Sequence, residues 1–258
     1  MKLSIIIVSY NVRDLLQQAL DSLIDSAEGF LYEIFVVDNA SKDQTVEMIE
    51  AKYPNIKLIA NQKNIGFSKA NNQAILKAKG EYILVINPDT ITSGDTITKI
   101  LSFMDNKELA GGLGVRMINA QGKYLKESKR GLPTPWAAFT KFSGISKMLP
   151  KSKFLNRYYM GWISEFETAE IEVLAGAFML LRSKALKKIG LFDESFFMYG
   201  EDIDLSYRLT LAGYKNYYFS ETYIIHFKGQ STRKLSWRYI QSFYGAMYIF
   251  VRKYFLKF

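Results

Sequence analysis

Short apolar runs alternate with stretches of helical periodicity along the first hundred residues of this chain. The apolar runs are rich in Val and Ile, and the stretches between them repeat apolar residues every three or four positions. Strands and helices that alternate in this way form right-handed βαβ units and a mostly parallel sheet. The predicted strands are 3–9, 33–37, 56–60 and 82–86, and the predicted helices are 12–26, 45–52 and 68–79. The expected fold class is α/β, with a mostly parallel central sheet flanked by helices.

The second half of the chain is less regular. Residues 123–165 mix basic, aromatic and Pro residues without clear periodicity, and a long irregular insertion in a compact domain is usually functional or mobile. Order returns with a predicted buried strand at 173–182, helices at 183–189 and 201–212, and one or two strands within 217–227. A chain of 258 residues can bury the core of one large domain. We predict one domain over residues 1–235, followed by a helical segment at 236–258.

The composition limits the classes of function. A net charge of +9 and a pI near 9.4 favour an anionic partner, such as a nucleotide phosphate, a nucleic acid or an acidic membrane. The chain has no cysteine, which excludes disulfides, thiolate catalysis and zinc–sulfur sites. Met1 leads directly into a strand-like segment without a secretory signal pattern. No apolar run reaches the roughly 18 residues that a bilayer span requires, so we expect no transmembrane segment.

Polar residues follow three of the predicted strands, at the strand ends where open α/β sheets bind ligands. They are Ser9, Tyr10 and Asn11 after the first strand, Asp38 and Asn39 after the second, and Asn87 and Asp89 after the fourth. Asp38 could accept a hydrogen bond from a nucleobase N–H, or it could cap the next helix. Asp89 could bind a hard divalent cation, although an Asp in a turn is the commoner case. The pattern alone leaves both alternatives open.

Two further segments combine polar residues with element boundaries. Asn64 and Gly66 precede the helix predicted at 68–79, where glycine permits a close backbone approach and a helix N-terminus favours an anion. An ordinary turn is the simpler interpretation. Glu201, Asp202 and Asp204 surround the start of the helix predicted at 201–212. Acidic residues stabilise the first turn of a helix, but three exceed what capping needs, so we expect a functional role.

The remaining candidates lie near the C-terminus. His226 is the single histidine and ends a predicted strand; Lys228 and Arg233 follow it in a loop that contains Gly and Ser, as a phosphate-closing loop would. A structural histidine is the alternative. Residues 236–258 interleave aromatic with basic side chains. This segment is either a helix packed on the core or an interfacial helix on a membrane, and we expect the membrane role.

In their order along the chain, these segments resemble the family-2 glycosyltransferases. The resemblance covers about residues 2–91 and 172–226 and is closest to the rhamnosyltransferase-like branch that builds bacterial surface polysaccharides. It is carried by SIIIVSYN at 4–11, VVDNAS at 36–41, NIGF at 64–67 with Ala70 and Asn72, INPD at 86–89, GAFM at 176–179, GLFDE at 190–194 and GEDIDL at 200–205. Each segment alone is unspecific, whereas the ordered set is specific.

The resemblance implies a GT-A fold, with a nucleotide-binding half at 1–92 and an acceptor-binding half at 93–235. It implies that Asp38 binds the base of a UDP- or dTDP-sugar, that Asp89 is the last Asp of a DxD motif for Mg²⁺ or Mn²⁺, and that Asp202 is the general base. His226 matches a metal or pyrophosphate ligand. The donor-binding residues expected from the matching segments are Ser9, Tyr10, Asn11, Asp38, Asn39, Asn64, Gly66, Asn72, Asn87 and Glu201.

The implied reaction is a metal-dependent single displacement with inversion, which moves one sugar, with rhamnose as the candidate, to a lipid-linked or polysaccharide acceptor. The expected location is cytoplasmic and peripheral on the inner face of the cell membrane. The chain departs from the family pattern at two points. Asn87 replaces the first Asp of the DxD motif, and the QxxRW signature of processive synthases is absent. We therefore expect one sugar per encounter.

Other classes of protein fit the sequence less well. The turn at 9–13 has no glycine, whereas a dinucleotide-binding dehydrogenase needs several there. A sugar nucleotidyltransferase would need a Gly-rich basic loop at the same place. Nucleic-acid binding would explain the charge, but no fold for it is recognisable, so we expect no nucleic-acid partner. A catalytically inactive nucleotide-sugar- or glycan-binding module remains as the alternative, because Asn87 weakens the metal motif.

Overall fold

A computed structural model describes residues 1–227 and 237–255, with the side chains of residue 142 and residues 237–243 left undescribed. In this part of the chain, nine strands form one sheet. The strands are β1 (Leu3–Ser9), β2 (Tyr32–Asp38), β3 (Lys57–Ala60), β4 (Tyr82–Ile86), β5 (Thr90–Thr92), β6 (Ala110–Ile118), β7 (Ala169–Ile171), β8 (Phe178–Arg182) and β9 (Lys215–His226). The helices are α1 (Arg13–Ser26), α2 (Thr45–Lys52), α3 (Phe67–Ile75), α4 (Thr96–Asp105), α5 (Pro135–Phe142), α6 (Ile145–Met148), α7 (Ser183–Ile189), α8 (Glu201–Leu211) and α9 (Trp237–Tyr254), with a 3₁₀ turn at Lys126–Ser128.

The strand order is β3-β2-β1-β4-β8-β6-β9-β5, and β7 pairs with β9. The strands β1 to β4 pair in parallel, as the alternation of strands and helices predicts. Beyond β4 the pairing is mixed: β8 runs antiparallel to β4 and β6, β9 runs parallel to β6, and β5 and β7 run antiparallel to β9. The flanked central sheet is confirmed. Its parallel character is concentrated in the first half, because regular strand–helix alternation stops after β4.

The sheet is stabilised by packing on both faces. Along β1 the side chains alternate, so that Ile5 and Ile7 pack with Leu16 and Leu20 of α1 on one face, and Ile6 packs on the other. All of these side chains are fully buried. Burial of each contributes about 1.5–3 kcal/mol relative to an exposed side chain. A strand buried on both faces has a continuous apolar sequence, which is why β1 and β4 are easily recognised.

Several predicted boundaries are corrected. The strand predicted at 173–182 begins only at Phe178, and the helix predicted at 68–79 ends at Ile75. That helix ends early because the chain must turn into β4: the Gly80 N–H donates to Ser4 Oγ over 2.8 Å. The irregular residues 123–165 contain the 3₁₀ turn and the helices α5 and α6. The predicted division at residue 92 stays a prediction, and the boundary at 235 lies outside the described residues.

One face of α9 packs on the rest of the chain. Ala246 and Phe250 are buried against Phe196, and the Tyr207 ring meets the Phe250 ring edge-on at 6.0 Å. The core-packing alternative therefore holds for this face, and the membrane role of the helix stays a prediction. Among the helices that the structure describes, none is long and apolar enough to span a bilayer.

Candidate active site

A cavity of about 330 Å³ opens at the carboxyl ends of β1 and β4, beside the start of α8. Parallel strands end together at this edge of the sheet, and the backbone there leaves a crevice for ligands. The cavity brings together eight of the residues predicted for the site, namely Ser9, Tyr10, Asn39, Asn64, Asn87, Glu201, Asp202 and His226. Arg130, Gly176 and Met198 also line it.

Asp38 lies beside this cavity and is almost completely buried. One of its oxygens, Oδ2, accepts a hydrogen bond of 2.9 Å from the Ser41 N–H within the loop after β2. The capping alternative is wrong, because the next helix begins at Thr45 and its N-cap residue is Gln44. The other oxygen, Oδ1, is buried and has no hydrogen-bond partner. Buried polar atoms are nearly always paired, so this acceptor is consistent with a bound N–H donor, and the base-binding role of Asp38 stays a prediction.

Besides Asp38, three predicted donor-binding residues lie outside the cavity lining and hold neighbouring loops together. The Asn11 N–H donates to Ser41 Oγ over 2.9 Å, and Asn72 exchanges two hydrogen bonds with the backbone of Phe192. Gly66 has a φ of +88°, and a Cβ there would lie 2.6 Å from the Phe197 carbonyl oxygen. Glycine is therefore required to hold this loop against the segment before α8. Direct donor contacts of the three residues stay predictions.

The acidic pair at the start of α8 faces a buried arginine. Arg130 donates to Asp202 Oδ2 and to the Leu174 carbonyl oxygen, and the Gly176 N–H donates to the same carboxylate oxygen over 3.1 Å. Burial by itself lowers the pKa of the Arg130 guanidinium, but Asp202 and Tyr158 together outweigh this effect and raise it. Arg130 thus fixes the orientation of the Asp202 carboxylate at the cavity.

Glu201, the residue before Asp202, has a shifted pKa. Its side chain is buried, and Oε2 has no hydrogen-bond partner. Burial, reinforced by the negative charge of Asp202, raises the pKa of Glu201 to about 8. The pKa of Glu201 therefore differs between the folded and the unfolded chain.

This difference predicts how Glu201→Gln changes stability with pH. The folded pKa exceeds the unfolded one, so the folded state binds more protons between about pH 4.5 and pH 8 and loses stability as the pH rises through this window. Gln resembles the protonated form of Glu and does not titrate, so the variant does not lose stability in this pH window. We expect the variant to match the wild type near pH 5 and to exceed it by roughly 1–3 kcal/mol near pH 9, in urea titrations. Parallel pH profiles of the two proteins would contradict the raised pKa.

His226 lines the cavity, and Asp89 lies directly behind it, outside the lining. These residues are brought together because β5, directly after Asp89, pairs antiparallel with the end of β9, where Thr90 faces His226. His226 Nε2 lies 3.3 Å from Asp89 Oδ1, and both side chains are almost completely buried. The Asp89 Oδ1 and His226 Nδ1 atoms have no hydrogen-bond partner.

The side chains of Asp89 and His226 have the ligand chemistry that a divalent cation requires. A carboxylate oxygen and an imidazole nitrogen are ligands that Mn²⁺ accepts, and Mg²⁺ usually adds substrate phosphates to one or two carboxylates. The described residues contain no group of three or more His, Cys, Asp or Glu side chains that could hold a metal ion. Further ligands would therefore have to come from other groups or from the substrate. Lys228 and Arg233, the predicted phosphate-closing residues, lie outside the described residues.

Sequence reasoning missed Arg130 and misassigned Asp204. Arg130 lies in a basic stretch without periodicity, next to Lys126 and Lys129, so nothing in the sequence distinguishes it from a solvated charge. Asp204 does not line the cavity. It is fully buried on the other side of α8, where it accepts hydrogen bonds from Arg208, Lys253 and the Tyr254 hydroxyl.

Solved structures share this architecture. The chain superimposes on S. aureus TarS residues 1–349 in complex with UDP-GlcNAc with a TM-score of 0.64, at 23% identity, covering 96% of this chain and 65% of that one. A mannosyltransferase from Pyrobaculum calidifontis in complex with GDP-Man and Mn²⁺ matches with a TM-score of 0.60, at 15% identity, over 93% of this chain and 59% of that one. The fold is therefore GT-A.

The chain belongs to glycosyl transferase family 2, whose model matches residues 4–190. Among its relatives, the N-acetylglucosaminyl-diphospho-decaprenol L-rhamnosyltransferase of Mycobacterium tuberculosis is 27% identical, over 96% of this chain and 83% of that protein. The rhamnosyltransferase WbbL of Escherichia coli K12 is 30% identical, over 89% of this chain and 84% of that protein. The resemblance to the rhamnosyltransferase-like branch is thereby confirmed.

Proposed function

We propose that this glycosyltransferase moves a single sugar, rhamnose, from a UDP- or dTDP-activated donor to a hydroxyl group of a lipid-linked or polysaccharide acceptor, with inversion at the anomeric carbon. The observation that carries the proposal is the position of Asp202: its carboxylate faces the same cavity as the unpartnered polar atoms that a donor would satisfy. The names of the two rhamnosyltransferase relatives support the choice of sugar, and the name of the mycobacterial one supports a lipid-linked acceptor.

In the proposed reaction, Asp202 takes the proton of the acceptor hydroxyl. The hydroxyl oxygen forms a bond to the anomeric carbon while the bond from that carbon to the nucleoside diphosphate breaks. Arg130 and the Gly176 N–H hold the carboxylate in one orientation, so little reorganisation is needed when the acceptor binds. Proton abstraction by a positioned carboxylate contributes about 10²–10⁴-fold to a rate.

The donor would be held at the ends of the parallel strands. Asp38 Oδ1 would accept the base N–H, and Tyr10 lies exposed beside the cavity, where its ring could cover a base. Asp89 and His226 would hold Mg²⁺ or Mn²⁺ next to the diphosphate, where a divalent cation stabilises the negative charge of the leaving group. Asn87 replaces a carboxylate with a neutral amide, so the donor's phosphates would supply more of the cation's ligands.

An inactive nucleotide-sugar- or glycan-binding module is the second candidate, and Asn87 is the observation that favours it. A binding module would keep the donor cavity but would not need Asp202 as a base. The two candidates therefore differ in the effect of changing Asp202 on turnover.

We also propose that the protein works at the cytoplasmic face of the cell membrane as a peripheral protein. The face of α9 that points away from the core exposes Tyr244 and Tyr248, one helical turn apart, and Phe255 is exposed directly after the helix. Aromatic side chains on the exposed face of an amphipathic helix are suited to the headgroup boundary.

Donor and metal binding are tested together by thermal shift. We expect UDP- or dTDP-rhamnose at about 100-fold over its Kd to stabilise the protein by about 2.7 kcal/mol, which raises the Tm by roughly 5–10 °C. We expect most of this shift to require Mn²⁺ and to be lost in Asp89→Asn, which removes one charge from the cation site. The exposed Asp25→Asn serves as the matched control and should retain the full shift.

The possible results separate the parts of the proposal. A full shift without Mn²⁺, or an equal shift in Asp89→Asn, would contradict the metal site and leave donor binding intact. The absence of a shift with every UDP- and dTDP-sugar would contradict the proposed donor class.

A further inference from the structure

The positive charge of this chain comes entirely from two segments. Residues 131–160 contain five Lys or Arg residues and no Asp or Glu, and residues 227–258 contain seven and none. The other 196 residues hold 22 basic and 25 acidic side chains, so they carry a small net negative charge. A basic character confined to two segments indicates a localised anionic partner rather than a general property of the surface.

The fold places α9, which belongs to the second segment, beside the first segment. A groove of about 60 Å³ runs between α5 and α9, with Ala138 and Lys141 on one wall and Ala246 and Phe250 on the other. Lys141 Nζ lies 3.5 Å from the centre of the Tyr158 ring, which ties α5 to the loop that follows α6. The first segment and α9 therefore contribute to one surface, which we call the basic surface: residues 133–158 together with the outer face of α9 over its described side chains, 244–254.

Large apolar side chains are exposed on the basic surface. On its first segment the exposed fractions are 56% for Phe139, 78% for Met148, 58% for Leu149 and 67% for Phe154. On α9, Tyr244 and Tyr248 are exposed, and Phe255 is exposed directly after the helix. Lys147, Lys151 and Lys153 are exposed among them. A contiguous group of exposed apolar residues on a soluble domain marks an interaction surface.

We propose that the basic surface docks on an anionic lipid bilayer, with the segment 133–158 as a membrane contact in addition to α9. Charge complementarity argues for this partner, because lysines interleaved with apolar side chains match anionic headgroups above acyl chains. A nucleic acid would use the lysines and could stack bases on exposed aromatic rings, but it offers no aliphatic phase for Met148 and Leu149. This inference rests on the proposed function, since it locates the contact that a peripheral enzyme with a lipid-linked acceptor would need.

The position of the groove relates membrane docking to catalysis. Its floor includes Gly200 and Ile203, which flank the acidic pair Glu201 and Asp202 at the start of α8. A bilayer on the basic surface therefore lies next to the element that carries the proposed base. An acceptor whose lipid remains in the bilayer would have its hydroxyl group brought towards Asp202.

The test is partition of the full-length protein onto vesicles of phosphatidylcholine with about 30% phosphatidylglycerol, measured by flotation. The surface variant combines Met148→Ser, Lys147→Gln and Lys151→Gln, three exposed changes remote from the cavity lining. Each lysine near an anionic surface contributes about fivefold to partition, so we expect a loss of about 25-fold from the charges alone. Binding of the wild type should also weaken at high salt and on vesicles of pure phosphatidylcholine.

The matched control carries the same three kinds of change elsewhere: Leu76→Ser, Lys77→Gln and Lys79→Gln. Leu76 is 77% exposed, and both lysines are exposed. We expect the control to bind vesicles like the wild type. The inference is overturned if the control and the surface variant lose binding equally, or if the surface variant loses none. It is also overturned if the wild type does not bind vesicles and instead binds single-stranded RNA or self-associates.

A donor thermal shift measured on the same samples distinguishes the two levels of the proposal. If the surface variant retains the donor-induced rise in Tm but no longer binds vesicles, the result supports the docking surface. A wild type with a donor shift and no vesicle binding overturns the docking surface alone. Vesicle binding by a wild type without any donor shift supports the surface and counts against the proposed transferase.

Discussion

Replacing Asp202 with Asn is expected to lower the rate of sugar transfer by about 10²–10⁴-fold and to leave donor binding intact. Asn has nearly the same shape and can still accept the hydrogen bonds that Arg130 and the Gly176 N–H donate to Oδ2. It cannot take up the proton of the acceptor hydroxyl. The measurement is kcat with a fixed donor and acceptor, beside the donor-induced rise in Tm.

The matched control for this variant is Asp105→Asn. Asp105 also pairs with a cation, Lys2, and accepts a hydrogen bond of 2.8 Å from the hydroxyl of Tyr82, the first residue of β4. It therefore lies at the opposite edge of the sheet from the cavity. We expect its kcat to match that of the wild type. Wild-type turnover by Asp202→Asn would contradict the role of the base, and no turnover by any form would favour the inactive binding module.

Replacing Asp204 with Ala is expected to destabilise the fold by about 3 kcal/mol or more, because removal of one partner leaves buried charges uncompensated. Asp204 is completely buried and accepts hydrogen bonds of 2.7 Å from Arg208, 2.7 Å from Lys253 and 2.6 Å from Tyr254. These bonds join α8 to α9. For a chain of this size the loss corresponds to a fall in Tm of roughly 6–12 °C, measured by thermal unfolding.

Asp193→Ala is the control, because Asp193 pairs with the same Lys253 over 2.5 Å but is partly exposed. Exposed ion pairs contribute at most about 1 kcal/mol, so we expect a small effect. If both variants lowered the Tm equally, the buried position of Asp204 would not be the cause. If Asp204→Ala abolished transfer without changing the Tm, Asp204 would belong to the catalytic machinery that its sequence position suggested.

The first half of the fold was readable from the sequence because each element there carries a complete local signal. The strands β1 and β4 are buried on both faces and have continuous apolar sequences, and the helices between them repeat apolar residues at helical spacing. Once the sheet is parallel, the polar residues after its strands must meet at one edge. Ser9, Asn39 and Asn87 line one cavity for this reason.

The second half was not readable in the same way, because its strands and site residues depend on long-range contacts. Nothing local indicates that β8 inserts between β4 and β6, or that β5 places Asp89 beside His226. Asp202 and Asp204 occupy the same helical turn and look alike in the sequence. Their side chains point to opposite environments, one to the cavity and one to α9.

The sequence by itself therefore determined the α/β class, the edge of the sheet that carries the site, and eight of the residues that line the cavity. These properties follow from local periodicity and from the geometry of parallel strands. Only the tertiary structure decided that Arg130 holds Asp202, that Asp204 joins α8 to α9, and that α9 lies beside the first basic segment. Each of these results is a contact between residues distant in the chain, and a charged side chain carries no local signal of which partner it will meet.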